Sequence, residues 1–396
     1  MTMNKEYRLK IVTDLFQAYY DARKNKRNSI SALAFEKHFE RNLFALCDEI
    51  IEKRYVPRPN ICFIVNKPVK REIFAADFRD RVVHHLIYNY ISPVFERTFI
   101  NDSYSCRKGK GTHYGIGRVN HFIRSCSRNY RRDCYILKLD IKGYFMAMNR
   151  RLLYGKIRTV LLKNSEKFGL DLPLVLYLIE KTIYNDPVKD CLIKGDVQDW
   201  HGLPTTKSLF SADRECGLPI GNLTSQLFGN IYLNDFDHFV KRVLGIKYYG
   251  RYVDDFVLVH PDKEYLKTMI PAIRKFLKEK VQLQLHPYKI FLQHYGKGVK
   301  FLGVFIKPYR SYIGNRTKGN SYKTVNKWNA LIRNKKKLDK DELDAFRASI
   351  NSYLGIMRHH STYRLRKKLL MCSLAEELRE YVSFSDKYQK LSIRSG

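Results

Sequence analysis

The sequence has 396 residues, 44% of them apolar and 13% aromatic, enough for two or three domains with a sizeable core. Lys and Arg number 73 against 39 Asp and Glu, a formal net charge of +34. A balance this basic argues against an enzyme of small neutral metabolites and for a polyanionic partner.

In chain order, residues 5–54 read as helical. Leu9, Val12, Leu15, Phe16 and Tyr19 fall at helical spacing, a second run extends from Ala32 to Ile51, and Pro57 and Pro59 close the region. ICFIV (61–65) reads as a short strand. DFRDRVVHHLIYNYISPVFE (77–96) predicts a helix that starts near Asp77 and is broken by Pro93. NDSYSCRKGKGTHYGIG (101–117) is a basic, glycine-rich loop. CYILKLD (134–140) alternates as a strand and ends in Asp140, on the side opposite Leu137 and Leu139. Residues 165–216 are mixed, with an irregular insertion around 186–216. Phe228, Tyr232, Phe236, Val240 and Leu244 then mark one helix face, stopped by Gly245. Tyr248 to Val259 reads as a strand pair around Asp254 and Asp255. Residues 275–286 read as a helix running into a strand, VKFLGVFI (299–306) as another strand, and 311–396 as a separate basic helical lobe.

The basic residues are spread along the whole chain, which favours nucleic acid over a membrane surface. No stretch approaches the ~20 apolar residues of a membrane span, and no N-terminal apolar run suggests secretion; a cytoplasmic protein without a membrane partner is expected. The eight cysteines include no C-x-x-C pair, so reduced thiols are expected rather than a zinc ribbon. Adjacent histidines at 84–85 and 359–360 point to different helix faces and read as structural or RNA-contacting rather than metal-binding.

The chemistry centres on GRYVDDFVLV (250–259). Taken alone, Asp254 and Asp255 could cap a hairpin turn. Asp140, at the end of another apolar strand, changes the balance. Acids delivered by separate strands to one sheet edge make a hard-oxygen site for Mg²⁺. Two such ions are common machinery for nucleotidyl transfer, so the expected cofactor is a pair of Mg²⁺ ions, with Mn²⁺ as a possible substitute.

The order of motifs around these acids carries a resemblance. YVDD (252–255) is similar to the Y-x-D-D box of reverse transcriptases. KPVKREIFAADFRDRVVHH (67–85) and SYSCRKGKGTH (103–113) resemble their fingers motifs, and LKLDIKGYF (137–145) the first catalytic palm motif. GLPIGNLTSQLFGNIYLNDFD (217–237) resembles the template- and nucleotide-binding motif, and LHPYKI (285–290) and KFLGV (300–304) the two that follow. IGNLTSQ (220–226) is the most discriminating stretch: most families carry Gln before the glycine and Pro after the serine, where Ile220 and Gln226 stand here. That variant, with YLGIMRHHSTYRLRKKLL (353–370), resembles the reverse transcriptases of diversity-generating retroelements in bacteria and phages.

The resemblance implies an α+β right-hand polymerase fold: an N-terminal helical region and fingers over 1–130, a palm with an antiparallel sheet over 131–310, and a basic α-helical thumb over 311–396. It implies an RNA-directed DNA polymerase that copies a template-repeat RNA into cDNA with errors opposite adenine. The implied partners are template RNA, the cDNA or primer strand, deoxynucleoside triphosphates and a small basic accessory protein. Asp140, Asp254, Asp255 and the backbone of Ile141 would hold metal. Lys289 would protonate the departing pyrophosphate. Lys67 or Lys70 would clamp the triphosphate with Arg71, and Phe145 would block a ribose 2′-hydroxyl. Ile220, Gly221 and Gln226 would face the nascent pair. Arg107, Lys108 and Lys110 would meet template phosphates, and Phe301, Leu302 and Gly303 would grip the primer. Plain alternatives stay open: a core aromatic for Phe145, surface cations for Arg71 and Lys289, a core strand for Phe301 and Leu302. The rival functions are an antiphage defence reverse transcriptase, a group II intron protein and a non-catalytic RNA-binding scaffold. No RNase H, integrase or zinc endonuclease segment is expected.

Overall fold

The computed structural model describes residues 5–24, 29–66 and 69–394. In chain order the helices are α1 (Lys5–Arg23), α2 (Ile30–Glu36), α3 (Phe39–Ile51), α4 (Phe78–Glu96), α5 (Thr112–Cys126), α6 (Arg150–Asn164), α7 (Leu172–Ile183), α8 (Leu223–Tyr232), α9 (Asn234–His238), α10 (Lys263–Val281), α11 (Asn315–Lys335), α12 (Lys340–Met357), α13 (Tyr363–Lys367) and α14 (Glu376–Glu380). The strands are β1 (Ile61–Val65), β2 (Arg71–Ala75), β3 (Tyr135–Asp140), β4 (Leu192–Ile193), β5 (Tyr248–Tyr252), β6 (Asp255–His260), β7 (Phe291–His294), β8 (Val299–Phe301), β9 (Val304–Lys307), β10 (Arg310–Ile313), β11 (Val382–Phe384) and β12 (Leu391–Ile393). The class is α+β with helix dominant, as expected. The chain forms two compact units, one of residues 1–112, 137–258 and 264–291, the other of 113–136, 259–263 and 292–396.

In the first unit, α4 lies against α1, with Val82, Val83, Leu86 and Ile87 wholly buried. Its N-terminus is capped by the Asp77 side chain, which accepts from the Arg79 amide. Contrary to the sequence expectation, α4 runs through Pro93 to Glu96. The missing proline N–H removes one ladder bond in the last turn, and burial of Ile91, Val94 and Phe95 keeps that turn in place. β1 and β2 form an antiparallel hairpin with Cys62 opposite Phe74, and β4, from the insertion, adds to β1 in parallel. In the sheet that carries the acids, β5, β6 and β3 are consecutive neighbours. Residues 282–286 do not form the expected strand; Leu285 makes an isolated pairing with Ile141.

In the second unit, α11 and α12 pack through Val325, Trp328, Phe346 and Ile350, and the Trp328 indole donates to Ser349 Oγ at 2.9 Å. Asp339 and Glu342 form a reciprocal cap at the start of α12. The expected single strand over 299–306 is a hairpin of β8 and β9, because Leu302 and Gly303 turn the chain with φ of +48° and +79°. The basic C-terminal region also contains a small hairpin, β11 with β12, that the helical reading missed.

Candidate active site

Asp254 lies in the turn between β5 and β6, one residue from Asp255 at the start of β6 and beside the end of β3, where Asp140 sits. The backbone fixes this meeting: the Ile141 amide donates to the Asp254 carbonyl at 3.1 Å, and the His286 amide to the Asp140 carbonyl at 2.8 Å. The turn holds Val253 at φ +56°, a strained conformation for a β-branched residue. Arg251 restrains it, donating from Nη1 to the Val253 carbonyl at 2.9 Å.

The electrostatics match three crowded carboxylates. Burial, reinforced by repulsion from Asp140, pushes Asp254 up to about 6 despite Lys289 and Arg71. Burial also pushes Asp255 up to about 6, with Lys138 working against the shift. Lys138 Nζ lies 3.0 Å from Asp255 Oδ2, and Lys289 Nζ 2.8 Å from Asp140 Oδ1. Asp255 Oδ1 is buried without a hydrogen-bond partner. As placed, no three His, Cys, Asp or Glu side chains among the described residues converge to hold a metal ion. The donor chemistry nevertheless fits one: the oxygens are hard, the charge of Asp140 helps to push up both turn aspartates, one buried oxygen is orphaned, and two lysine ammonium groups sit against the acids.

The other expected site residues fall into groups. Arg71 is exposed at the start of β2, and its charge reaches Asp254. Lys70 donates to the His201 carbonyl of the insertion at 2.7 Å. Lys67 lies outside the described residues. Phe145 is half-buried, 5.3 Å from Tyr144 between ring centroids, and packs with Ile220 on a cluster of Cys62, Phe74, Met146 and Leu209. The Ile220 carbonyl accepts from the Phe74 amide at 3.0 Å, which ties this loop to the β1–β2 hairpin. Gly221 needs its glycine: φ is +129°, and a Cβ would stand 3.0 Å from the Phe74 carbonyl oxygen. Gln226 is exposed on α8.

Lys108 is exposed, whereas Arg107 turns inward, bonding Glu96 and the carbonyls of Ile100 and Ser103 under the Phe99 ring. Lys110 bonds Asn101. In the second unit Phe301 is fully buried, and Leu302 and Gly303 form a hairpin tip. His84 is half-buried and bonded to Thr224, and desolvation lowers its pKa to about 3. His359 and His360 lie tilted against His113, with ring centroids 4.3 and 6.2 Å away.

Three contributors escaped the sequence reading. Lys138 was visible in principle, two residues before Asp140 and therefore on the same strand face. Arg251 and Asp237 form a buried bidentate pair, at 2.7 and 2.6 Å, joined by the Tyr249 hydroxyl. Glu72 is fully buried on β2 and accepts from the Trp200 indole, the Ser208 hydroxyl and the Leu209 amide, fastening the insertion to the hairpin.

Acids from two strands and a tight turn thus lie together, with Lys138 and Lys289 bonded to them and the charge of Arg71 within reach. The chain belongs to the reverse transcriptase (RNA-dependent DNA polymerase) family, which it matches over residues 66–306. It is similar to protein YkfC of Escherichia coli K12, 26% identical over 303 residues, covering 68% of this chain and 72% of that protein. Among solved structures it is similar to a telomerase from Candida albicans in complex with a telomeric RNA fragment (TM-score 0.47, 11% identity, 86% of this chain). An apo telomerase from Candida tropicalis truncated from its C-terminal domain is also similar (TM-score 0.45, 14% identity, 67% of this chain). The chain spans 59% and 58% of those two telomerase chains. No described helix is long and apolar enough to cross a membrane.

Proposed function

We propose that this protein copies an RNA template into DNA by nucleotidyl transfer at Asp140, Asp254 and Asp255, and that it serves a diversity-generating retroelement. The observation that carries the first part is the joining of Asp140 to the Asp254 turn through the Ile141 amide, which brings three carboxylates to one edge in a chain of this family. Asp140, Asp254, Asp255 and the Ile141 carbonyl would hold two Mg²⁺ ions, or Mn²⁺ in their place. Bound there, such ions supply activation of the primer hydroxyl and charge balance on the triphosphate.

The protein's own groups do the rest. Arg71 presents a guanidinium to the triphosphate, a planar fork suited to phosphate oxygens. Phe145, backed by Tyr144 and the apolar cluster, closes the space under the sugar. Lys289 rests on Asp140 and is 45% exposed, so its flexible stem can carry a proton to the departing pyrophosphate. Residues 1–130 serve as fingers, 131–310 as palm and 311–396 as thumb. The mutagenic reading is supported by Ile220, an apolar side chain where a hydrogen-bonding one would check pair geometry. A small basic accessory protein completes the proposed assembly.

Primer extension on a defined RNA template with Mg²⁺ and four deoxynucleotides, followed by product sequencing, tests both parts. DNA with errors concentrated opposite adenine is expected. Faithful or untemplated DNA would remove the diversity-generating assignment and move the protein toward antiphage defence. No product, even with the native RNA and accessory protein, would remove the polymerase reading.

A further inference from the structure

The second unit holds an open cavity of about 850 Å³ that shares no residue with the catalytic site. Its volume falls within the roughly 300–1,000 Å³ of ligand pockets. Tyr363 of α13, Phe384 of β11 and Tyr388 of the turn before β12 line it. The Tyr388 ring centroid lies 6.0 Å from that of Tyr363 and 6.1 Å from that of Phe384, at 46° and 56°. Tyr363 is 48% exposed and offers its ring to solvent, whereas Phe384 and Tyr388 are half-buried and seated on the core of this unit. Lys387 and Arg394 share the lining, with Asp386 as the acid among them.

The turn that carries Tyr388 is held under strain. Lys387 and Tyr388 both adopt φ of +54°, a left-handed conformation that bulky side chains rarely take. Arg366 enforces it from below: buried at 4% exposure, its guanidinium donates twice to the Lys387 carbonyl, at 3.0 and 3.2 Å, and to Thr362 Oγ1 at 2.7 Å. The same guanidinium also donates to the Met357 carbonyl at 3.2 Å, so the turn that carries Tyr388 is tied to the end of α12 and the start of α13. The helix that opens at Tyr363 then widens into a π-turn over Lys368–Cys372, a distortion that often accompanies functional surfaces.

We propose that this cavity binds an unpaired nucleotide of single-stranded RNA, its base stacked on Tyr363 or Tyr388 and its phosphate on Lys387 and Arg394. Every base has a π-face, so aromatic platforms bind single strands without reading sequence, and neighbouring cations hold the backbone. Aromatic rings beside cations distinguish the surface from an aliphatic protein-docking groove, and a chain of +34 draws polyanions to it. RNA binding here rests on the RNA-copying reading above. Its test uses no polymerisation, so an inactive enzyme and a wrong site give different results.

The full-length protein is photocrosslinked, without nucleotides or divalent cations, to a short single-stranded RNA carrying 4-thiouridine, and adducts are mapped by mass spectrometry. Anisotropy titrations compare the same RNA single-stranded and as a duplex. Adducts are expected within 363–394 and are lost in Tyr363→Ala with Tyr388→Ala. Single-strand affinity is expected to fall by about 5- to 100-fold in that double variant with an unchanged salt slope. Lys387→Ala is expected to reduce the salt slope by about 0.7, and Tyr388→Phe to bind as wild type. If the double variant unfolds, Tyr363→Ala alone decides, since its side chain stands in solvent. Absence of adducts in 363–394, unchanged single-strand affinity, or an equal loss on duplex RNA overturns the proposal; unchanged affinity with no adducts leaves the cavity to an acidic protein segment.

Discussion

Arg251 and Asp237 form a bidentate ion pair with no exposed side-chain surface, and the same guanidinium holds the carbonyl of Val253, the residue before the first turn aspartate. Burial works against the guanidinium charge, and Asp237 more than offsets it. The pair therefore converts a buried salt bridge into a brace for the strained turn that delivers Asp254. Removing one partner of such a pair costs about 3–5 kcal/mol, because the other charge is left buried and unpaired. Arg251→Lys keeps a charge but cannot span both carboxylate oxygens and the carbonyl. We expect Arg251→Lys to lower kcat by at least about tenfold with little change in the nucleotide KM, and Asp237→Asn to lower urea stability by about 3 kcal/mol. Equal kcat in Arg251→Lys would show that the turn keeps its shape without the brace.

The raised carboxyls at Asp254 and Asp255 set a pH dependence whose sign follows from linkage. Their folded values, about 6, exceed the ordinary carboxylate value of 3.8, so the folded state binds more protons between those limits. Their ionisation thus weakens the metal-free fold as pH rises through about 4 to 6, and the cost is complete above that window. Asp254→Asn with Asp255→Asn should raise the metal-free Tm at pH 8 and change it far less at pH 4, although synthesis is lost. Mg²⁺ should stabilise wild type at pH 8 and leave the double variant unchanged. Thermal melts at the two pH values, with and without Mg²⁺, check both statements. His84 opposes this trend in the whole protein: its lowered proton affinity contributes stability above about 6.5 that fades as pH falls toward 3. The comparison is therefore made between wild type and variant at each pH.

Glu72 makes a separate prediction, because three donors from the insertion converge on one buried carboxylate. Glu72→Ala strands those donors, at about 1–3 kcal/mol for each buried group left unmade. We expect a stability loss of about 3 kcal/mol, faster proteolytic nicking within 186–216, and a raised nucleotide KM, since Arg71 is the adjacent residue of the same strand. Glu72→Gln retains an acceptor and should lose less. Urea melts and timed proteolysis distinguish a released insertion from global unfolding.

That Asp140 lies beside the Asp254–Asp255 turn was legible in the sequence because the pattern is local: two adjacent carboxylates between apolar runs, and a third at the end of an alternating strand. The helix through Pro93 was not, because burial of Ile91, Val94 and Phe95 is a tertiary effect that outweighs a missing N–H. The turn at Leu302 and Gly303 was hidden inside a continuous apolar run, where periodicity has no marker for positive φ. Arg107 stood among glycines and lysines like a phosphate ligand, yet its donors close onto Glu96 and two carbonyls. Asp237 and Arg251 are 14 residues apart, and nothing in spacing alone announces that they meet.

The proposed mutagenic activity makes its own prediction at Ile220. Its side chain packs on the apolar cluster with Phe145, and its carbonyl takes the Phe74 amide, so the residue couples the loop before α8 to the strand that begins with Arg71. A glutamine there would place an amide against Cys62, Phe74 and Met146, at a cost of about 1–3 kcal/mol unless it turns toward the nascent pair and finds a partner. Turning outward is what pair checking requires. Ile220→Gln should therefore lower misincorporation opposite adenine by several-fold on the same RNA template, with a modest fall in Tm. Sequencing of primer-extension products gives the error rate, and a melt gives the packing cost. A lowered Tm with an unchanged error spectrum would assign Ile220 to packing alone and remove its support for the proposed mutagenic activity.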